Sequence, residues 1–119
     1  MENIKIFDAE YRFMCIVWEK EPISSRELVK LCQEEFGWKK STTYSVIKRL
    51  TERGAVKSEN AVVTSLVERI QVQKFESEQT LEKTFDNSLP SFITAFLQDK
   101  KITREEAEQI KKMIEEAVK

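Results

Sequence analysis

Residues 38–54, WKKSTTYSVIKRLTERG, have two contrasting faces when the stretch is drawn as an α-helix. With about 100° of rotation per residue, one sector avoids water, and it comprises Thr43, Val46, Ile47 and Leu50. Gly54 follows on the same side, where glycine supplies the left-handed conformation that ends many helices. The stretch therefore predicts a short amphipathic helix with one face packed against a core.

The other face of this predicted helix carries hydroxyls and cations. Its members are Ser41, Tyr44, Ser45, Lys48 and Glu52, with Thr42 and Arg49 on the flank. Ser, Thr and Tyr form helices less readily than the Glu, Lys, Gln and Ala of ordinary exposed helices. Short hydroxyls reach base edges and phosphates in a DNA groove, and cations neutralise phosphate. The pattern favours a DNA-binding face over its alternative, a poorly optimised surface helix.

The composition favours a small, mostly helical protein. The chain has 119 residues, of which 34% are charged, and it contains only two Gly and two Pro. An all-β chain of this length needs many more turn residues. We therefore expect one domain, or one domain with an oligomerisation arm, that is mainly α-helical with a small β-hairpin.

The residue types argue against catalysis and against a bound metal. The chain contains no His, so the commonest general base and the commonest zinc ligand are missing. Cys15 and Cys32 fall within helical patterns and have no CxxC partner, so we expect buried thiols rather than a disulfide or a redox switch. We expect neither an enzyme nor a cofactor.

The hydropathy pattern shows no targeting or membrane segment. No apolar run approaches the roughly 20 residues that span a bilayer. The first residues, MENIKIFDAEY, lack the basic region and the apolar segment of a secretory signal. We expect a cytoplasmic protein with no membrane insertion.

Charge is unevenly distributed along the chain. The net charge is −1, yet residues 38–57 hold six basic residues and one acidic residue, whereas residues 67–119 hold nine basic and eleven acidic residues. One end of the molecule is therefore predicted to attract phosphate. The cations expected to contact DNA phosphates are Lys39, Lys40, Lys48, Arg49 and Lys57.

Two helices are predicted ahead of the opening stretch. The first covers about residues 9–19, with Asp8 as its N-cap. After an extended link at residues 22–23, the second covers residues 26–36, with a cap at Ser24 or Ser25 and a stop at Gly37. A tight join that contains Gly holds a recognition helix across its supporting helix. The sequence therefore predicts a helix-turn-helix.

A hairpin is predicted after Gly54. Residues 55–57 and 62–64 are β-prone, and residues 58–60 form a turn-like cluster between them. Three helices followed by a hairpin make a winged helix, while a hairpin that only closes the core is the alternative. We expect residues 1–66 to form a winged-helix DNA-binding domain.

Residues 67–119 are predicted to form a helical dimerisation region, with helices over residues 67–87, 88–100 and 103–119. Thr103 and Glu106 fit a capping box at the start of the last helix. The apolar faces are too narrow to make a core alone, so we expect a homodimer, with folding back onto the winged helix as the alternative. The expected interface residues are Phe75, Phe85, Leu89, Phe92, Phe96, Ala107, Ile110, Ile114 and Ala117.

Short motifs follow one another in a fixed order along nearly the whole chain. They are DAEY at residues 8–11, VW at 17–18, STTY at 41–44 after Trp38, IKRL at 47–50, RG at 53–54, SLV at 65–67 and NSL at 87–89. In this order and spacing the chain resembles the BlaI/MecI/CopY family of bacterial repressors. The resemblance implies a winged helix that binds operator DNA, a C-terminal dimerisation region, and repression of genes for antibiotic or metal resistance.

The resemblance also implies a set of base contacts. It places them on Ser41, Thr42, Tyr44 and Ser45, within a palindrome of TACA/TGTA-like half-sites. A winged helix used only for protein interaction is the alternative function. That alternative predicts no salt-steep DNA affinity.

The mode of induction is the point at which the chain departs from the family pattern. The β-lactam-responsive members have a membrane sensor metallopeptidase that triggers cleavage at an Asn-Phe bond. The corresponding protease-sensitive bond here joins Ala95 and Phe96, so the Asn is missing. The copper-responsive members end in a cysteine motif, whereas this chain has no Cys after Cys32. The resemblance implies a repressor and leaves its signal open.

Overall fold

Helices and short strands follow one another in the predicted order. The computed structural model describes residues 4–118. Its elements are α1 (Asp8–Lys20), β1 (Ile23–Ser24), α2 (Ser25–Phe36), α3 (Lys40–Glu52), β2 (Val56–Glu59), β3 (Val62–Ser65), α4 (Arg69–Thr84), α5 (Leu89–Phe96) and α6 (Arg104–Ala117). The prediction of a mainly α-helical chain with a small β-hairpin is confirmed.

The core lies between α1, α2, α3 and the sheet. Its largest fully buried side chains are Phe13, Met14, Leu28, Leu50 and Val17. Burying a side chain of this size contributes about 1.5–3 kcal/mol. The predicted apolar sector of α3 is confirmed, since its members are at most 6% exposed: Thr43, Val46, Ile47 and Leu50.

Three of the predicted helix ends have the expected geometry. Ser24 is the N-cap of α2, and its Oγ accepts the N–H of Glu27 at 3.1 Å. Gly37 ends the same helix with φ of 71°, the left-handed conformation in which glycine has no steric cost. Thr103 caps α6, where its Oγ1 accepts the N–H of Glu106 at 3.0 Å. These ends follow from local chemistry alone.

The predicted cap of α1 was wrong. Asp8 is the first helical residue, and Phe7 occupies the N-cap position. The carboxylate of Glu10 accepts the N–H of Phe7 at 3.0 Å, so the backbone group at this end finds its partner three residues on. Asp8 instead places its charge in the first turn, where the helix dipole favours an anion.

A three-stranded antiparallel sheet forms in the order β1-β3-β2. The predicted link at residues 22–23 contributes to β1, where Ile23 pairs with Val63. The predicted turn is shifted: Ser58 and Glu59 belong to β2 and pair with β3. Asn60 and Ala61, with φ of 52° and 62°, make the two-residue turn, a conformation that matches the twist of the flanking strands.

The chain forms two compact units, of which the first ends at Glu78 and the second begins at Gln79. The first unit includes Val72 of α4 in its core, and Trp18 Nε1 donates to the carbonyl of Val67 at 2.9 Å. The assignment of residues 1–66 and 67–119 to DNA binding and dimerisation remains a prediction. Within the second unit, no side chain of residues 79–118 is buried.

Membrane-spanning helices and clusters of metal-ligating side chains are both absent from the described residues. Among residues 4–118, no helix is long and apolar enough to cross a membrane. In the same residues, no group of three or more Cys, Asp or Glu side chains is arranged to hold a metal ion.

The two cysteines differ in burial. Cys32 is buried as expected, whereas Cys15 is only half-buried, because its position on α1 lies at the edge of the core. Burial raises the pKa of the Cys32 thiol, and Glu35 adds to this, while the neighbouring Thr43 hydroxyl opposes it. That contact is not a well-formed hydrogen bond, since Thr43 Oγ1 has no partner of normal geometry among residues 4–118.

The unpaired hydroxyl of Thr43 is expected to lower the stability of the fold. Thr43→Val replaces a buried hydroxyl with a methyl group of similar shape, so we expect the free energy of unfolding to rise by about 1 kcal/mol. Urea denaturation followed by circular dichroism measures this. The control is Thr42→Val, an exposed position on the same helix, for which we expect a change within about 0.5 kcal/mol. A loss of stability in Thr43→Val would show that the hydroxyl has a partner.

Candidate nucleic-acid interface

An aromatic cluster fixes the turn between α2 and α3. The turn consists of Gly37, Trp38 and Lys39, and the Trp38 N–H donates to the carbonyl of Cys32 at 3.3 Å. The Trp38 ring stacks on Phe13 with centroids 6.3 Å apart and packs against Phe36 at 5.0 Å. The indole therefore holds the start of α3 against both α1 and α2.

The outer face of α3 carries the four predicted base-contacting residues. All are exposed, namely Ser41, Thr42, Tyr44 and Ser45. Tyr44 is the largest of them and is 42% exposed. The structure thus brings the four side chains together on two successive turns of one helix. Their hydroxyls can donate to phosphate oxygens, and they can either donate to or accept from base edges.

The predicted phosphate-contacting cations fall into two groups. Within the described part of the chain, Lys39, Lys40 and Lys48 are exposed and form no ion pair. Lys57, by contrast, lies on the hairpin and pairs with Glu59 at 3.3 Å. A carboxylate beside Lys57 reduces its attraction to phosphate, so the free positive charge is concentrated on α3 and on the turn before it.

Arg49 forms an ion pair with a carboxylate on α1. Its Nε lies 3.5 Å from the Glu10 carboxylate, which is 4% exposed and also pairs with Arg53. Arg53 donates a further hydrogen bond to the carbonyl of Lys5 at 2.6 Å. The predicted phosphate contact at Arg49 is therefore shared with an internal ion pair that ties α1 to the C-terminal half of α3.

The surroundings of Glu10 set its protonation. Burial by itself raises the pKa of this carboxyl, but Arg53, the N–H of Phe7 and Arg49 together outweigh burial, so the pKa lies below its ordinary value. The role of this ion pair is not visible in the sequence. In the sequence Arg53 contributes only to the local charge and to the RG motif at residues 53–54, because a partner 43 residues away leaves no periodic signal.

The predicted dimer residues divide between the two units. Phe75 is half-buried and belongs to the first unit. In the second unit, Phe92 packs edge-on against Phe85 with centroids 5.3 Å apart and stacks with Phe96 at 6.1 Å. Leu89, on the same helix as Phe92, is 52% exposed.

The predicted residues of α6 form an apolar stripe. Ala107 is half-buried, Ile110 is 41% exposed, Ile114 is 53% exposed, and Ala117 is exposed. Met113, which is 61% exposed, was missed, although its spacing of three residues from Ile110 was visible in the sequence.

The predicted protease-sensitive bond lies inside a helix. Ala95 and Phe96 are the last two residues of α5, and both are exposed. A protease needs an extended backbone, so cleavage at this bond requires the end of α5 to unwind.

Together these features define a class of protein. The helix-turn-helix of α2 and α3 is followed by a β-hairpin, and α3 presents hydroxyls and unpaired cations on its outer face. This arrangement is a winged helix.

The family follows from comparison with known proteins. The statistical description of the penicillinase repressor family matches residues 6–116, and the chain belongs to that family. It is 24% identical over 117 residues to the methicillin resistance regulatory protein MecI of Staphylococcus aureus, which covers 95% of both chains. It is 23% identical over 116 residues to the penicillinase repressor of Bacillus licheniformis, covering 94% of this chain and 91% of that one.

Solved structures support the same fold. The chain is similar to Bacillus licheniformis BlaI, solved in its monomeric form in complex with the blaP half-operator, with a TM-score of 0.52 and 24% sequence identity. The match covers 59% of this chain and 90% of that one. The DNA-binding domain of the repressor BlaI gives the same values.

The Glu10 ion pair makes a pH-dependent prediction. We expect Glu10→Gln to lower the free energy of unfolding at neutral pH by about 2 kcal/mol, because Arg53 loses its carboxylate. Because the pKa of Glu10 is lower in the folded state, its ionised carboxylate stabilises the fold above about pH 4.5. This stabilisation is lost as the pH falls through the folded-state pKa. The difference between variant and parent should therefore shrink below about pH 4.5 in urea titrations at several pH values.

The control for this prediction is Glu19→Gln, at an exposed glutamate of the same helix whose side chain is 75% exposed. We expect its effect to stay within about 0.5 kcal/mol at every pH. A Glu10→Gln deficit that is constant from pH 7 to pH 3 would contradict the assignment of the ion pair.

Proposed function

We propose that this chain is a DNA-binding transcriptional repressor that acts as a homodimer on a palindromic operator. The observation that carries the proposal is the outer face of α3, where four exposed hydroxyl side chains lie beside unpaired lysines. Two of its relatives are named as a regulatory protein of methicillin resistance and a penicillinase repressor. BlaI of Bacillus licheniformis was solved with a half-operator. The family is one of repressors rather than enzymes.

The roles within the proposed interface divide by chemistry. Ser41, Thr42, Tyr44 and Ser45 lie at the base edges of the major groove. Hydroxyls there can donate or accept, and the Tyr44 ring can also contact a thymine methyl group. Lys39, Lys40 and Lys48 neutralise phosphates and set the register of α3 in the groove. Arg49 contributes less to phosphate binding than an unpaired arginine would, because the Glu10 carboxylate offsets part of its positive charge.

The turn before α3 suits this role for a further reason. Lys39 occupies the N-cap position of α3, so a basic residue begins the helix at the positive end of its dipole. Two positive features at one place repel each other in the absence of an anion. A DNA phosphate near Lys39 relieves that repulsion and orients the helix at the same time.

The proposed dimer is supported by the exposed apolar side chains of the second unit. Residues 79–118 bury none of their side chains, although they include Leu89, Phe96, Ile110 and Ile114. An apolar stripe of this kind on a helix is typical of an interface with another helix. A second copy of this chain supplies the matching stripe without another gene product. Two-fold symmetry in the protein then selects two-fold symmetry in the operator, with half-sites about one helical turn, or a multiple, apart.

The proposed function implies a location in the cell. A repressor must reach chromosomal DNA, so the cytoplasm of a bacterial cell is the location that this function requires. A membrane sensor metallopeptidase as the inducing partner remains a prediction from family resemblance.

The proposed division of roles on α3 can be tested by two substitutions. We expect Tyr44→Ala to reduce the preference for operator over random DNA by about 1–3 kcal/mol, because it removes a base contact. We expect Lys40→Ala to weaken both duplexes alike and to reduce the slope of log K against log salt by about 0.9. Fluorescence anisotropy with a TACA/TGTA palindrome and a scrambled duplex at several salt concentrations measures both quantities.

The outcomes of that titration separate the candidate functions. Equal losses on both duplexes for both variants would contradict the roles assigned to Tyr44 and Lys40. Absence of salt-dependent binding by the parent protein would overturn DNA binding itself and favour a protein-interaction module.

The proposed dimer can be tested at α6. Ile114→Glu places a charge on the apolar stripe, so we expect the species seen by light scattering to fall from twice 14.0 kDa to 14.0 kDa at micromolar concentration. The matched control is Lys112→Gln, which changes the net charge by the same amount on the opposite, exposed side of α6 and should leave the dimer intact. A parent protein of 14.0 kDa at that concentration would overturn the homodimer.

A further inference from the structure

Two arginines on the C-terminal half of α3 share the carboxylate of Glu10. Arg53 Nη2 and Arg49 Nε both approach Glu10 Oε2. The other oxygen, Oε1, accepts the N–H of Phe7 at 3.0 Å. Arg53 and this backbone N–H therefore give each carboxylate oxygen a partner, and the contact with Arg49 is not needed to satisfy the buried charge.

The contact between Arg49 and Glu10 is the weaker of the two ion pairs. Its N···O distance is 3.5 Å, whereas a strong hydrogen bond between a guanidinium and a carboxylate is about 2.7–2.9 Å long. Burial raises the pKa of Glu10, and of the groups that oppose burial, Arg53 acts most strongly and Arg49 least. The Arg49 side chain is also 54% exposed, against 29% for Arg53. Arg49 can therefore leave Glu10 at little cost to the fold.

The guanidinium of Arg49 is open to a second anion. Its ion pair with Glu10 uses Nε, and Arg49 forms no other ion pair within residues 4–118. Arg49 lines an open groove of about 710 Å³, whose walls also include Phe7 and Glu52. Glu52 is exposed, so water and salt screen its effect on Arg49. An anion from solvent can reach the terminal nitrogens of Arg49 through this groove.

The position of Arg49 on α3 indicates which anion that is. Arg49 lies four residues after Ser45, a proposed base contact, and next to Lys48, a proposed phosphate contact. Residues four apart are neighbours on a helix surface. A helix in the major groove has a sugar-phosphate strand along each flank, and a guanidinium can bind a phosphate through two N–H groups. Continuity with the proposed interface therefore brings a backbone phosphate to Arg49.

We infer that Glu10 competes with a DNA phosphate for Arg49 and thereby limits the affinity of the protein for DNA. The inference rests on the proposed function. In the free protein Glu10 holds Arg49 through Nε, and on DNA the guanidinium turns to the phosphate while Arg53 keeps the carboxylate paired. The free energy of breaking the Arg49 contact is subtracted from that of binding. Glu10 acts only through Arg49, and its effect carries no sequence preference.

Removal of the Glu10 charge tests the inference in the full-length protein. Glu10→Gln keeps an acceptor oxygen for the N–H of Phe7 but removes the anion that competes for Arg49. We expect about fivefold tighter binding to both the palindrome and the scrambled duplex, and a slope of log K against log salt that is steeper by up to about 0.9. A merely structural role predicts weaker binding, because we expect the variant to be less stable. Circular dichroism and stoichiometric titration give the folded and active fractions.

Two controls separate Arg49 from other sources of charge. When Glu10→Gln is added to Arg49→Ala, we expect the affinity and the salt slope of Arg49→Ala to stay unchanged, because the group for which Glu10 competes is gone. Glu19→Gln removes the same charge from an exposed position on α1, and we expect it to change binding to either duplex by less than about twofold.

The outcomes distinguish this inference from the function on which it rests. If the parent protein shows no salt-dependent binding, the proposed function fails. If the parent and Lys40→Ala behave as proposed but Glu10→Gln binds no more tightly than the parent, only the competition is overturned. A gain that persists in the Arg49→Ala background would assign the effect to Arg53 and overturn the role of Arg49. A gain that Glu19→Gln matches would reduce the effect to net charge and overturn the inference as well.

Discussion

The burial of one side of α3 is the constraint on which the rest of the molecule depends. Val46 is 2% exposed and Leu50 is fully buried, so α3 cannot rotate about its axis without bringing apolar surface into water. The same fixed rotation directs Ser41 and Tyr44 outward. Trp38 fixes the start of the helix, and the Glu10 ion pair with Arg53 fixes its end. The orientation of the proposed DNA-binding face is therefore decided inside the core.

Features with a local cause could be predicted from the sequence, while features that depend on contacts between distant parts of the chain could not. The Ser24 cap and the Gly37 stop each follow from one residue type at one position. At the start of α1 the predicted cap, Asp8, is already helical, and the carboxylate of Glu10, which Arg53 holds, accepts the N–H of Phe7. The hairpin turn was misplaced because Ala61 carries no turn signal, although it adopts a positive φ. Strand pairing on both sides of that turn overrides its local preference.

The candidate site shows the same division. The exposed face of α3 was predictable because a period of 3.6 residues governs both burial and exposure. The partial neutralisation of Arg49 was not, since it depends on Glu10, 39 residues earlier in the chain. Composition identified which charges exist, and the tertiary fold determines which of them remain free.

The absence of any buried side chain within residues 79–118 has a consequence for how the proposed repressor responds to its own abundance. If the apolar surface of that unit is covered only by a second copy, ordering and association become one equilibrium, whose position depends on protein concentration. At low abundance the paired form then rises with the square of the total. Operator occupancy would change more steeply than the amount of protein, so dilution by cell growth alone would release a disproportionate share of the operators.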